Sequence, residues 1–96
     1  MAKRVVLSVD AQDDIEKIIS HIVQYTYSLS SGAKLLEDLK DKIELIGLMP
    51  EGIGRLREDG KREAFCRGYR IVYQLTENEA IILTIIHSRM LYPQPE

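Results

Sequence analysis

Gly68-Tyr69-Arg70-Ile71-Val72-Tyr73-Gln74-Leu75-Thr76-Glu77-Asn78-Glu79-Ala80-Ile81-Ile82-Leu83-Thr84-Ile85-Ile86-His87 is the stretch on which the fold turns. β-Branched and aromatic residues crowd both of its halves, and the polar Glu77-Asn78-Glu79 lies between them. Such residues suit a pleated, half-buried surface, so the pattern predicts strands over Tyr69–Thr76 and Ala80–His87 joined as a hairpin. Ile81 to Ile86 is almost continuously apolar, which fits a central strand covered on at least one face. Gly68 separates the hairpin from a further strand expected over Glu63–Arg67.

Upstream of these strands the period changes. Pro50-Glu51-Gly52-Ile53-Gly54 reads as a loop. Before it, Leu36, Leu39, Ile43 and Ile46 recur at three- and four-residue steps, with Ala33, Leu35 and Leu45 widening the stripe. Ser30 or Ser31 is the expected cap of this helix, and Gly47 and Pro50 end it. Ser28 to Gly32 is a polar break of about five residues. Ahead of it, Ala11, Ile15, Ile18, Ile19, Ile22 and Val23 define another helix, from Asp10 to Tyr25 or Tyr27. Asp10 is its expected N-cap, with Asp13 and Asp14 in the first turn beside the positive helix end. Val5-Val6-Leu7, continuing through Ser8-Val9, reads as a short opening strand. The order is β-αα-βββ, an α+β architecture in which an antiparallel helix hairpin packs on a small, mainly antiparallel sheet.

The chain has 96 residues, 45% hydrophobic and 29% charged, so it is expected to form one domain over residues 1–96, with 91–96 as an extended tail carrying two prolines. Its apolar runs fall far short of the roughly 20 residues of a membrane span. Met1-Ala2-Lys3-Arg4 is basic, but the apolar stretch behind it ends at Asp10, too soon for an export signal. The single cysteine, Cys66, cannot form an internal disulfide, and a reducing cytoplasm is the expected compartment.

Charge is unevenly spread around the net of -2. Asp10 to Glu51 holds four lysines against nine acids, whereas Arg55 to Arg70 holds six bases against Glu58, Asp59 and Glu63. Proteins that live on nucleic-acid phosphates are usually basic throughout, so an acidic half with one basic patch weakens that reading.

Several chemistries find no support in the residues. His21, His87 and Cys66 are not spaced as metal ligands, and neither a metal nor a cofactor is expected. Gly52 and Gly54 precede a strand, not the helix start that a phosphate-binding loop needs. Cys66 lies mid-strand, where a small buried hydrophobe is the simpler role than a nucleophile paired with His87. His21, among isoleucines, reads as a helix-flank residue with its polar edge in water. Glu37, Asp38, Asp41 and Glu44, interleaved with Lys34, Lys40 and Lys42, read as a solvated face.

One cluster carries more weight: Arg67, Tyr69, Arg70, Tyr73, His87, Arg89 and Tyr92. Arg70 and His87 fall on neighbouring strands. Cationic, aromatic and imidazole groups at a sheet rim can hold a phosphodiester, with arginine stabilising charge on phosphorus and histidine or tyrosine moving protons. The plainer reading is that Arg70 and Tyr73 point to alternate faces, pair with acids and close the sheet edge.

Gly68-Tyr69-Arg70-Ile71-Val72-Tyr73, followed by a turn and Ile85-Ile86-His87-Ser88-Arg89-Met90, resembles the RelE/ParE superfamily of toxins from type II toxin–antitoxin modules. Ala11-Gln12-Asp13-Asp14-Ile15, Ala33, Leu36, Pro50 and Gly54-Arg55 agree, so the resemblance covers nearly the whole chain. It implies a toxin neutralised by a cognate antitoxin in a hetero-oligomer. It also implies one of two activities, since fold alone does not choose between them. RelE-like members are ribosome-dependent mRNA endoribonucleases, for which Arg70, His87 and Tyr92 are the matching catalytic positions. ParE-like members inhibit DNA gyrase and block DNA replication.

The ending His87-Ser88-Arg89-Met90-Leu91-Tyr92, the helix hairpin and a pI near 5.7 look more like ParE. Glu63, Ala64 and Phe65 stand where RelE-like members carry basic residues, and Lys61 and Arg62 fill in only with a register shift. The resemblance therefore implies gyrase as target, with Tyr69, Arg70, His87, Arg89, Met90 and Tyr92 as the target-binding rim. The ribosome and its mRNA, or an inactive member that only binds antitoxin, are the alternatives. An antitoxin segment is expected to fold across the helix hairpin and the sheet edge.

Overall fold

A computed structural model describes residues 2–93, so residues 94–96 of the expected tail lie outside the described part. The elements run β1 (Arg4–Leu7), α1 (Val9–Thr26), α2 (Leu29–Leu48), α3 (Pro50–Ile53), β2 (Arg55–Leu56), β3 (Arg62–Cys66), β4 (Tyr69–Leu75) and β5 (Glu79–His87). The expected α+β arrangement is the one observed, with a one-turn helix where the Pro50–Gly54 loop was read and a two-residue strand just after it. The five strands are ordered β1-β5-β4-β3-β2. β1 runs parallel to β5, and the other pairs are antiparallel. Ile81–Ile86 is apolar but for Thr84 because β5 is interior, covered by helices on one face and flanked by two strands over its first half.

Side chains of one sheet face meet the helix hairpin. Leu35, Leu39, Ile43 and Ile46 of α2 and Ala11 of α1 pack with Ala64, Cys66, Ile71, Tyr73, Ala80, Ile82 and Ile85. The first helix lies further out than its periodicity suggests: Ile15, Ile18, Ile19 and Ile22 are only partly buried. Ala33 and Leu45, expected to widen the stripe of α2, are exposed. Tyr73 is fully buried and donates its hydroxyl to Pro50 O at 2.6 Å. A Cβ added at Gly54 would collide with the Tyr73 ring, so glycine is needed there for close approach.

Several local expectations are corrected. Ser8, not Asp10, is the N-cap of α1: its Oγ accepts from Ala11 N at 3.0 Å and donates to Leu83 O on β5 at 2.9 Å. One hydroxyl thus starts the helix and ties it to the sheet, which Asp10 is too far along the chain to do. Only Asp10 then stands in the first turn. Ser28, not Ser30 or Ser31, caps α2, accepting from Ser31 N. The helices are joined by Tyr27 and Ser28 alone, with Tyr27 left-handed at φ 52°. Gly32, read as part of the break, lies inside α2, where a Cβ would come within 2.6 Å of Val23 Cγ2. Glycine there marks close helix packing, and its turn-like composition misleads.

Asp14, now in the body of α1, has a different task from the one expected. β1 pairs with β5 only as far as Ile82, leaving the rest of that edge of β5 without a strand. Asp14 Oδ2 accepts from Ile85 N at 3.0 Å and from Thr84 Oγ1 at 2.6 Å. The carboxylate replaces the missing strand, where an unpaired buried amide would be costly.

Candidate functional site

The rim is built by a tight turn between β3 and β4. Cys66 pairs with Tyr69, leaving Arg67 and Gly68 as a two-residue loop. Both have positive φ, 52° and 84°, the requirement of a type I′ turn. Arginine is an uncommon residue in that conformation. Arg67 reaches across to α2, donating to Asp38 Oδ2 at 3.2 Å. Ser88 N donates to Gly68 O at 2.8 Å, seating the end of β5 on this turn.

Register then sorts the predicted rim residues onto two faces. Tyr69 is opposite His87, and their rings meet edge to face at 6.1 Å. Arg70 is opposite Ile86 on one side and Phe65 on the other. It therefore lies on the sheet face away from the helices, while Tyr69 packs against the helix-side core. Arg70 Nη1 donates to Glu63 Oε2 at 3.2 Å, and its Nη2 donates to Ser88 O at 2.6 Å. Of the remaining rim residues, His87, Arg89 and Met90 are exposed and Tyr92 is half-buried. His87 Nδ1 accepts from Arg89 N at 3.3 Å. Among the described residues no carboxylate accepts a hydrogen bond from His87.

Sequence reasoning missed the group that organises this face. Glu63 is 4% exposed and accepts from three arginines. Arg55 Nε reaches Oε1 at 2.8 Å, and Arg57 Nη1 reaches Oε2 at 2.9 Å, beside Arg70. Burial works to raise the Glu63 carboxyl, but hydrogen bonds from Arg55 and Arg57 and the charge of Arg70 outweigh it and hold it below the ordinary glutamate value. Arg57 also donates from Nη2 to Tyr92 O at 2.6 Å and lies over the Tyr92 ring at 5.3 Å. The expected free tail is thus tied down as far as Tyr92. A glutamate in a strand between basic segments was the one available signal, and it read only as a missing base.

The other candidates are accounted for. Arg62 is turned toward α3, donating to Glu51 O at 3.0 Å. The Cys66 thiol is buried, and burial, seconded by the charge of Asp38, pushes its pKa up. That disfavours the thiolate a nucleophile needs. His21 is exposed against Tyr25. Among the described residues no cluster of His, Cys, Asp or Glu is placed to hold a metal ion, and no helix is long and apolar enough to cross a membrane.

Apart from the rim, an apolar groove of about 630 Å³ runs between β1, α1 and α2. Val5, Leu7, Ile15, Leu36 and Ile43 line it, with Lys3, Lys40, Glu16 and Glu44 at its margins. β1 is the terminal strand, so its open edge faces this side.

A helix hairpin on a five-stranded sheet, with a basic turn and the C-terminal segment gathered at one end, is the fold of the RelE/ParE toxin superfamily. Within it, the family model of the ParE toxin of type II toxin–antitoxin systems matches residues 5–92, and the chain belongs to that family. No curated protein matches the sequence. Among solved structures, the chain is similar to one from the chromosomal ParDE system of P. aeruginosa, with a TM-score of 0.79 and 19% identity over 88% of this chain and 95% of that one. It is also similar to one from the RelBE2 toxin–antitoxin complex of Mycobacterium tuberculosis, with a TM-score of 0.57 and 18% identity over 91% and 99%.

Proposed function

We propose that this toxin acts in the cytoplasm by inhibiting DNA gyrase and so blocking DNA replication, and that a cognate antitoxin neutralises it. Family membership supports the toxin, and the state of Arg70 favours gyrase over RNA cleavage. Its guanidinium is committed to Glu63 and to the Ser88 carbonyl, so the cation best placed to stabilise charge on phosphorus already has its donors engaged within the protein. Among the described residues no carboxylate accepts a hydrogen bond from His87 to orient it as a general base. What the rim offers outward is Arg89, Met90 and Leu91, a charged and adaptable apolar mixture suited to a protein surface.

The antitoxin is assigned to the apolar groove. An amphipathic segment laid there covers the exposed stripe between α1 and α2, and a strand extends the sheet at β1. Two neighbouring folds come from toxin–antitoxin systems, which supports such a partner.

Purified gyrase is the test. Inhibited supercoiling or trapped cleaved DNA, relieved by the protein encoded beside this toxin, is the expected result. Messenger RNA cut on the ribosome with gyrase unaffected would instead favour the endoribonuclease, with Arg70, His87 and Tyr92 as its groups. Inertness in both assays would leave an antitoxin-binding member without activity.

A further inference from the structure

Two backbone carbonyls of the C-terminal segment are held by guanidinium groups that share one carboxylate oxygen. Arg70 Nη2 holds Ser88 O at 2.6 Å, and Arg57 Nη2 holds Tyr92 O at 2.6 Å. Through their Nη1 atoms both arginines donate to Glu63 Oε2, at 3.2 and 2.9 Å. The side chains of Arg57, Arg70 and Glu63 are 14%, 20% and 5% exposed, so the three form a strut with little freedom. Asp59, at 3.2 Å, steadies Arg57 from the other side. Between the two held carbonyls, Arg89, Met90 and Leu91 are all exposed.

We propose that Arg57 is a positioning residue which, with Arg70 and through Glu63, clamps Ser88 and Tyr92 so that Arg89-Met90-Leu91 is presented to the target as a pre-formed loop. A planar guanidinium has donors enough to bind Glu63, Asp59 and the Tyr92 carbonyl at once while stacking on the Tyr92 ring. A bound target then need not order the three presented residues, which is how preorganisation gains affinity. Arg57 acts only through the segment it holds. The proposal rests on the reading that this rim engages the target, and the test below separates the two.

The test is Arg57→Lys in the full chain, which keeps a positive charge beside Glu63 but lacks the fork and the stacking plane. Backbone amide relaxation of residues 88–92 reports the clamp without reference to any target. The expected result is that Arg89, Met90 and Leu91 lose order relative to wild type, and that the concentration for half-inhibition of gyrase rises about tenfold or more. Antitoxin affinity is expected to be unchanged, since the groove is lined by residues 2–48 and by none of the clamp or the segment it holds. If the segment stays as ordered as in wild type, the clamp is wrong. If it loosens while inhibition is unchanged, presentation is wrong even though the clamp exists. Should wild type itself leave gyrase unaffected, the gyrase reading fails, relaxation still decides the clamp, and ribosomal mRNA cleavage by the two proteins decides presentation. If the variant does not fold, wild-type relaxation decides: disordered amides at Ser88 and Tyr92 overturn the proposal.

Discussion

Replacing Asp14 with alanine is expected to strip the acceptor from two buried donors at once. Ile85 N and Thr84 Oγ1 both point at Asp14 Oδ2, in a stretch where β5 has no strand on its β1 side. A buried donor left unsatisfied costs about 1–3 kcal/mol, and both bonds are charge-assisted. Asp14 is half-buried, so water recovers part of the loss, and the Thr84 hydroxyl is free to turn. A net cost of about 3 kcal/mol follows, against a total stability of about 5–14 kcal/mol for a chain of this length. With a urea slope of about 1.5 kcal/mol/M, the unfolding midpoint falls by about 2 M. Thr84→Val removes one of the donors, so in that background Asp14→Ala is expected to cost about 1 kcal/mol less. Asp13→Ala is the control, an exposed neighbour whose loss stays within about 0.5 kcal/mol. A midpoint shift for Asp14→Ala no larger than that of the control, or full additivity with Thr84→Val, would refute the edge-capping argument.

Gly54→Ala drives a methyl into the buried, hydrogen-bonded Tyr73 ring and is expected to destabilise by about 1–3 kcal/mol, read as a fall in melting temperature. The depressed carboxyl of Glu63 makes stability depend on pH: its contribution is complete above the unfolded glutamate value of about 4.3 and is lost as pH falls through the lower folded value. Urea unfolding from pH 6 to pH 3 should show this slope in wild type, and Glu63→Gln should flatten it. Ile85→Ala empties a site only 2% exposed and is expected to cost about 2–5 kcal/mol; Ile22→Ala, at a partly buried position of α1, should cost less than Ile85→Ala. Equal losses in denaturant titrations would mean that α1 is packed more deeply than described.

The hairpin of β4 and β5 was legible because its two strands are adjacent in sequence and their turn residues lie between them. Once it is formed, Tyr69 and His87 must come close, and they do. The caps were harder. Ser8 beats Asp10 because its hydroxyl also finds Leu83 O, an acceptor 75 positions away that no local pattern contains. Gly32 was misread for a similar reason: glycine suits a turn and a tight helix contact equally well, and only the position of Val23 tells them apart.

Sequence alone determined the alternation of helical and extended periods, the faces on which most core residues fall, and a resemblance spread over nearly the whole chain. These are short-range properties, set by propensity and by spacings of two, three or four residues. Tertiary structure alone decided where the charged groups point. That Arg70 pairs with an acid was one of two readings of the sequence, but only register chose it and named Glu63 as the acid, and Arg57 had no evident role until the chain returned with Tyr92, 35 residues later. A buried ion network is specified by the convergence of segments distant in sequence, and its energy depends on burial that only the packed fold creates.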